Sequence, residues 1–87
     1  MNNQIKIIAI RISDLREIAG LSAEAVAAQA GIPIEEYLLY EAGEKDFSFS
    51  HLFNIATVLG VDISDLLTGE SPKLTGYILT RAGKGLA

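Results

Sequence analysis

Eighty-seven residues with 49 % apolar content support one small domain around one core and leave no room for a second fully packed one, which argues against an enzyme with a buried cleft. Seven basic residues stand against eleven acidic, a net charge of -4, whereas a domain that grips a phosphate backbone usually carries a basic face, so the distribution of charge matters more than its sum. Cysteine is absent, which removes disulfide frameworks and thiolate metal sites.

The first apolar stretch, Ile5 to Ile12, is interrupted by Lys6 and Arg11 and is too short to cross a bilayer, so the expectation is a soluble cytoplasmic protein with no membrane partner. Ile5, Ile8, Ile12, Leu15 and Ile18 recur at steps of three and four and predict a first helix from about Asn3 to Ala19, stopped by Gly20. Ser22 offers an N-cap hydroxyl, Glu24 an early negative charge, and Ala23 to Ala30 a strongly helix-forming run that ends at Gly31.

Ile32 fills the turn. Pro33 suits a first helical position, where its missing N–H costs nothing, and Glu35 and Glu36 complement the helix dipole, so a third helix is expected from Pro33 to Ala42. Two short helical patterns joined by a tight turn at Gly31 are the sequence form of a helix-turn-helix. Beyond Gly43 and the loop Glu44, Lys45, Asp46, Ser48 caps a fourth helix with Leu52, Ile55, Ala56 and Leu59 inward. After Gly60, Val61 to Leu67 reads as a short fifth helix capped by Asp62 or Ser64, which completes an all-α fold of five helices.

The pattern Leu15-Arg16-Glu17, Gly20-Leu21-Ser22, Val26-Ala27, Gly31-Ile32, Tyr37, Tyr40-Glu41, Gly43, Leu52, Ile55-Ala56, Leu59-Gly60-Val61 and Leu66-Leu67 resembles the XRE and Cro-type, lambda-repressor-like DNA-binding domains over roughly Ile12 to Leu67. The resemblance implies a five-helix domain over residues 1–68 whose third helix enters the major groove of double-stranded operator DNA while the start of the second braces the backbone. It also implies candidate DNA-facing positions, and here these are Ala23, where relatives often carry glutamine, Pro33, Ile34, Glu35, Glu36, Leu38, Leu39 and Ala42.

None of these is an amide or a guanidinium, the groups that read adenine or guanine through two hydrogen bonds. Five carboxylates and no Lys or Arg lie between Ser22 and Glu44, so phosphate repulsion is built into this surface. Glu35 and Glu36 read most simply as dipole-compensating residues, while the resemblance implies a structural role for Glu41, core positions for Tyr37 and Tyr40, and outward positions for Leu38 and Leu39. Arg11 and Arg16 are expected on the outer side of the first helix as solvated charges, as is Lys45 in the loop. If DNA is bound, Lys45, Arg16 and the Ser22 hydroxyl are the expected backbone anchors.

Residues 69–73 read as a turn-rich linker, and 74–87 switch to β-prone residues, Leu74 to Arg81, followed by a Gly83-Lys84-Gly85 turn that lacks the spacing of a phosphate loop. The resemblance extends to regulators that continue from such a junction into a cupin-type β-barrel sensor for a small molecule, so the tail is expected to open a truncated domain, or to pair with a second copy in a homodimer. His51 is the sole histidine and lacks companions for a zinc set, and no catalytic set or cofactor is implied. Two functional classes follow: a sequence-specific DNA-binding regulator, or a protein-interaction module that keeps the repressor fold and uses its acidic, leucine-bearing third helix.

Overall fold

The computed structural model describes residues 3–69, and Gln4–Ala19 form α1, the longest helix among the described residues. Asn3 flanks α1 as its N-cap rather than belonging to it, and Gly20 turns left-handed at its end. Ile8, Ile12 and Leu15 are buried as the periodicity requires, but Ile18 is exposed. Two successive steps of three residues, Ile12 to Leu15 to Ile18, each fall short of a full turn and rotate Ile18 off the stripe, while Ala9 is buried instead.

α2 spans Ala23–Ala30, and the Ser22 hydroxyl accepts the Ala25 N–H at 3.0 Å as its N-cap. At Gly31 the backbone takes φ 72°, a left-handed conformation that a side chain would strain, and the Ile32 N–H reaches back to the Ala27 carbonyl at 2.9 Å. This reversal aims the next segment across α2. α3 spans Ile34–Glu41, one residue shorter at each end than the sequence predicted. Pro33 has the helical φ of -55° but an extended ψ of 138°, so it is the residue before the helix, and its carbonyl accepts the Tyr37 N–H at 2.9 Å.

Ser48 caps α4, Phe49–Leu59, by accepting the His51 N–H. α5 spans Ile63–Thr68 and starts from Asp62, not Ser64. Asp62 and Asp65 exchange side chain and backbone hydrogen bonds in a capping box, which leaves Val61 outside the helix. The core gathers Ile12 and Leu15 of α1, Val26 and Ala27 of α2, Tyr37 and Tyr40 of α3, Leu52 and Ile55 of α4 and Leu66 of α5. The sequence expectation of five all-α elements is met, with each interior face where its periodicity put it except at Ile18.

No helix among the described residues is long and apolar enough to cross a membrane. The expected tail, residues 74–87, and nearly all of the linker lie outside the described residues; Gly69, the first of the linker, is the left-handed C-cap of α5.

Candidate nucleic-acid interface

The outward face of α3 is set by what its inward face is bolted to. Tyr37 and Tyr40 are both fully buried, one turn apart, and each hydroxyl finds a carboxylate four residues away on the polar side of the same helix. Tyr37 donates a hydrogen bond to Glu41 Oε2. Glu41 in turn receives Arg16 of α1 through both carboxylate oxygens, Nε to Oε2 at 2.7 Å and Nη2 to Oε1 at 2.8 Å, while Nη1 donates to the Leu21 carbonyl at 3.0 Å. All three guanidinium nitrogens are thereby engaged, and one side chain joins α1, the turn before α2 and the end of α3.

The protonation states follow from that cluster. Burial alone pushes the Glu41 carboxyl up, but the hydrogen bonds from Arg16 and Tyr37 and the guanidinium charge outweigh it, and its pKa lies below the usual carboxylate value. The hydrogen bonds to Glu41 hold the Arg16 guanidinium more firmly protonated than usual. Burial first, and then the negative Glu41, lift the Tyr37 phenol well above its ordinary range. The expectation that Arg16 is a solvated charge is therefore corrected: it is a buried-side tie rod.

Arg11 departs from expectation in the same way. Its Nη1 donates to the Leu66 and Leu67 carbonyls at 2.8 and 2.9 Å, satisfying the last turn of α5 across the molecule. The Glu41 end of α3 is secured a second time by Tyr40, whose hydroxyl donates to Glu36 Oε2 at 3.1 Å and lies 2.8 Å from His51 Nδ1, and whose ring stacks on Phe47 at 4.7 Å. His51 is half-buried in this contact. The Glu36 carboxylate also sits 3.7 Å from Lys45 Nζ.

Of the residues singled out in the sequence, Ile34, Glu35, Glu36, Leu38 and Leu39 lie on α3, Lys45 sits beside Glu36 in the following loop, and Ser22 and Ala23 stand at the start of α2. Ile34 and Ala23 are partly withdrawn against the core. Glu35, Leu38 and Leu39 stand outward, the two leucines 49 % and 43 % exposed, beside exposed Ala42. The Arg16–Glu41–Tyr37 cluster was not legible in sequence as a unit. The four-residue spacing of Tyr37 and Glu41 hinted at half of it, but nothing local could pair Glu41 with a residue of α1.

The helix-turn-helix family model matches residues 12–66, which runs from the middle of α1 into α5 and contains α2, the Gly31 turn, α3 and α4 entire. No curated protein and no solved structure matches the chain. With five helices in this order, a glycine-turned α2–α3 pair and a third helix held by its core face with its outer face free, the chain belongs to the helix-turn-helix family of the XRE and lambda-repressor-like type, a family of DNA-binding regulatory domains.

Proposed function

We propose that the chain is the DNA-binding part of a transcriptional regulator, acting on two-fold operator DNA with α3 as its recognition helix. The observation that carries this reading is the α2–Gly31–α3 unit, whose second helix is held on its inner side through Tyr37, Tyr40 and Glu41 and exposed on the opposite side. A helix that must enter a groove without deforming needs such rear anchorage.

The chemistry of that free side defines an unusual reader. Leu38, Leu39 and Ala42 suit the methyl group of thymine, and the Glu35 carboxylate, which can only accept, suits chiefly the amino group of cytosine. Backbone affinity comes from the Lys45 ammonium and the Ser22 hydroxyl, whose proton remains available while its oxygen caps α2. Arg16, proposed from the sequence as a third anchor, serves here through Glu41 as a positioning residue. Fluorescence anisotropy with the regulator's own promoter at low and moderate salt tests the reading. Tighter binding at low salt, competed poorly by unrelated DNA, supports it, and equal indifference to all DNA at both salts refutes it.

The exposed Leu38 and Leu39, flanked by acidic residues, favour a second reading, in which α3 docks a protein partner without binding DNA. L38S/L39S would then abolish that association, with no effect of salt-dependent DNA competition.

A further inference from the structure

The outer side of α1 carries a pattern that the core does not use. With about 100° of rotation per residue, Ile7, Ile10 and Asp14 fall within about 60° of one another and form one strip along the helix. Ile7 is 40 % exposed, Ile10 is 60 % exposed, and Asp14 is partly buried. The last turn of α5 lies against the same stretch: the Leu67 carbonyl accepts from Gln4 Nε2 at 3.2 Å and from Arg11 Nη1 at 2.9 Å, and Leu67 is itself exposed. At Gly69 a β-carbon would sit 2.7 Å from Arg11 Nε, so the chain leaves the described fold beside this strip.

The residues that follow match the strip in order and in charge. Residues 3–69 carry ten acidic side chains against four basic, whereas residues 70–87 carry three basic against one acidic, so the two parts attract. In an extended segment alternate residues share a face, which puts Tyr77, Leu79 and Arg81 on one side over about 13 Å. On α1, Ile7, Ile10 and Asp14 span about 10 Å. Both series run apolar, apolar, charged, and the charges are opposite. Tyr77 comes eight residues after Gly69, a length that reaches up to about 26 Å, whereas Arg11 and Ile7 are only about 6 Å apart along the helix.

We infer that residues 77–81 pack along the outer side of α1, with Tyr77 against Ile7, Leu79 against Ile10 and Arg81 beside Asp14. Two isoleucines and Leu67, each already partly covered, fall far below the roughly 1,200–2,000 Å² that holds a separate partner. A segment tethered to the end of α5 is present at an effective concentration in the millimolar range, so a small surface suffices for it. The contact involves α1 and not α3, and it stands whether or not α3 binds DNA.

The chain has no cysteine, so an introduced pair reports the contact without interference. I10C/L79C is oxidised with glutathione disulfide in the full chain at low micromolar concentration, beside L38C/L79C, whose Leu38 is 49 % exposed on α3. The expected product is a disulfide within one chain, formed at least tenfold faster in I10C/L79C and slowed at least threefold by adding R81E. Equal rates in the two pairs overturn the inference, as does indifference to R81E. A covalent dimer as the main product overturns it too, because the segment on α1 would then come from another copy. Ile10 and Leu38 are both exposed, so neither pair should lower the melting temperature when reduced. Should Ile10→Cys melt early, the unaltered chain decides: a nuclear Overhauser effect between the Tyr77 ring and the Ile7 methyls supports the contact, and its absence overturns it. The Tyr37 and Tyr40 rings, being buried, do not reach that strip.

Discussion

The Arg16 guanidinium and the Glu41 carboxylate meet through two parallel hydrogen bonds, 2.7 and 2.8 Å long, across 25 residues of chain. Both side chains are largely withdrawn from water, 21 % and 13 % exposed, so each depends on the other for its solvation. A buried pair of this kind adds little over a well-packed apolar pair but penalises the loss of one partner alone. Arg16→Met and Glu41→Gln should each destabilise by about 2–3 kcal/mol, toward the lower side of what a fully buried pair would cost. In urea unfolding, the double variant R16M/E41Q should lose clearly less than the two single losses added together; strict additivity would show that the pair does not act as one.

The same pair sets an acid limit. The folded Glu41 carboxyl has a lowered pKa, so the unfolded chain takes up its proton first, and stability from this group is complete above about 4.5 and is lost as pH falls below it. At the other extreme Tyr37 has a raised pKa. Its contribution is complete below about 10.0, where unfolded tyrosine begins to ionise, and declines as pH rises further. Thermal melting against pH should show both limbs, with the acid limb flattened by Glu41→Gln and the alkaline limb by Tyr37→Phe. Unaltered limbs in these variants would assign the pH dependence to other groups.

Lys45 lies in the loop after α3, its ammonium 3.7 Å from the Glu36 carboxylate. In the proposed complex it exchanges that weak partner for phosphate. Lys45→Ala should weaken binding to all sequences alike and lower the slope of log affinity against log salt by about 1. A slope that does not move removes Lys45 from the contact.

Thymine methyls are the proposed partners of Leu38 and Leu39. Replacing thymine by uracil within a half-site removes a methyl without touching the hydrogen-bonding edge, and should cost about 1 kcal/mol at each contacted base. The loss should disappear in L38S/L39S, whose affinity is already reduced. Uracil-insensitive binding by the wild type would show that these leucines face something other than base methyls.

Gly69 is the C-cap of α5. Its φ of 74° is left-handed, and a β-carbon there would come within 2.7 Å of Arg11 Nε, which clasps the last turn of α5. Gly69→Ala should cost about 1–2 kcal/mol from the backbone alone. Because Arg11 must also shift, amide hydrogen exchange should quicken through α5 more than through α2; uniform protection in both would locate the strain elsewhere.

Much of the scaffold was readable from local rules. Ser22 and Ser48 declared two helix starts because a hydroxyl before an apolar run has a backbone donor to accept, and Gly20, Gly31 and Gly60 declared stops because a left-handed residue is cheap only for glycine. The family resemblance placed Tyr37 and Tyr40 inward and Leu38 and Leu39 outward, as the structure has them, so most of the candidate interface could be listed before its geometry was known. Pro33 was misassigned by one position because its fixed φ suits the residue before a helix as well as the first within it.

The sequence by itself determined five helices, their caps, the turn at Gly31 and the acidic, leucine-bearing character of α3, because each of these depends on residues within one or two turns of one another. Only the tertiary structure decided what the cations do. Arg11 and Arg16 looked like solvent-facing charges on α1, yet they satisfy the carbonyls of α5 and the carboxylate of α3, partners that no spacing along the chain reveals. A charge has its role fixed by the nearest opposite charge or unpaired carbonyl in space, and in this fold those lie 25 and 55 residues away.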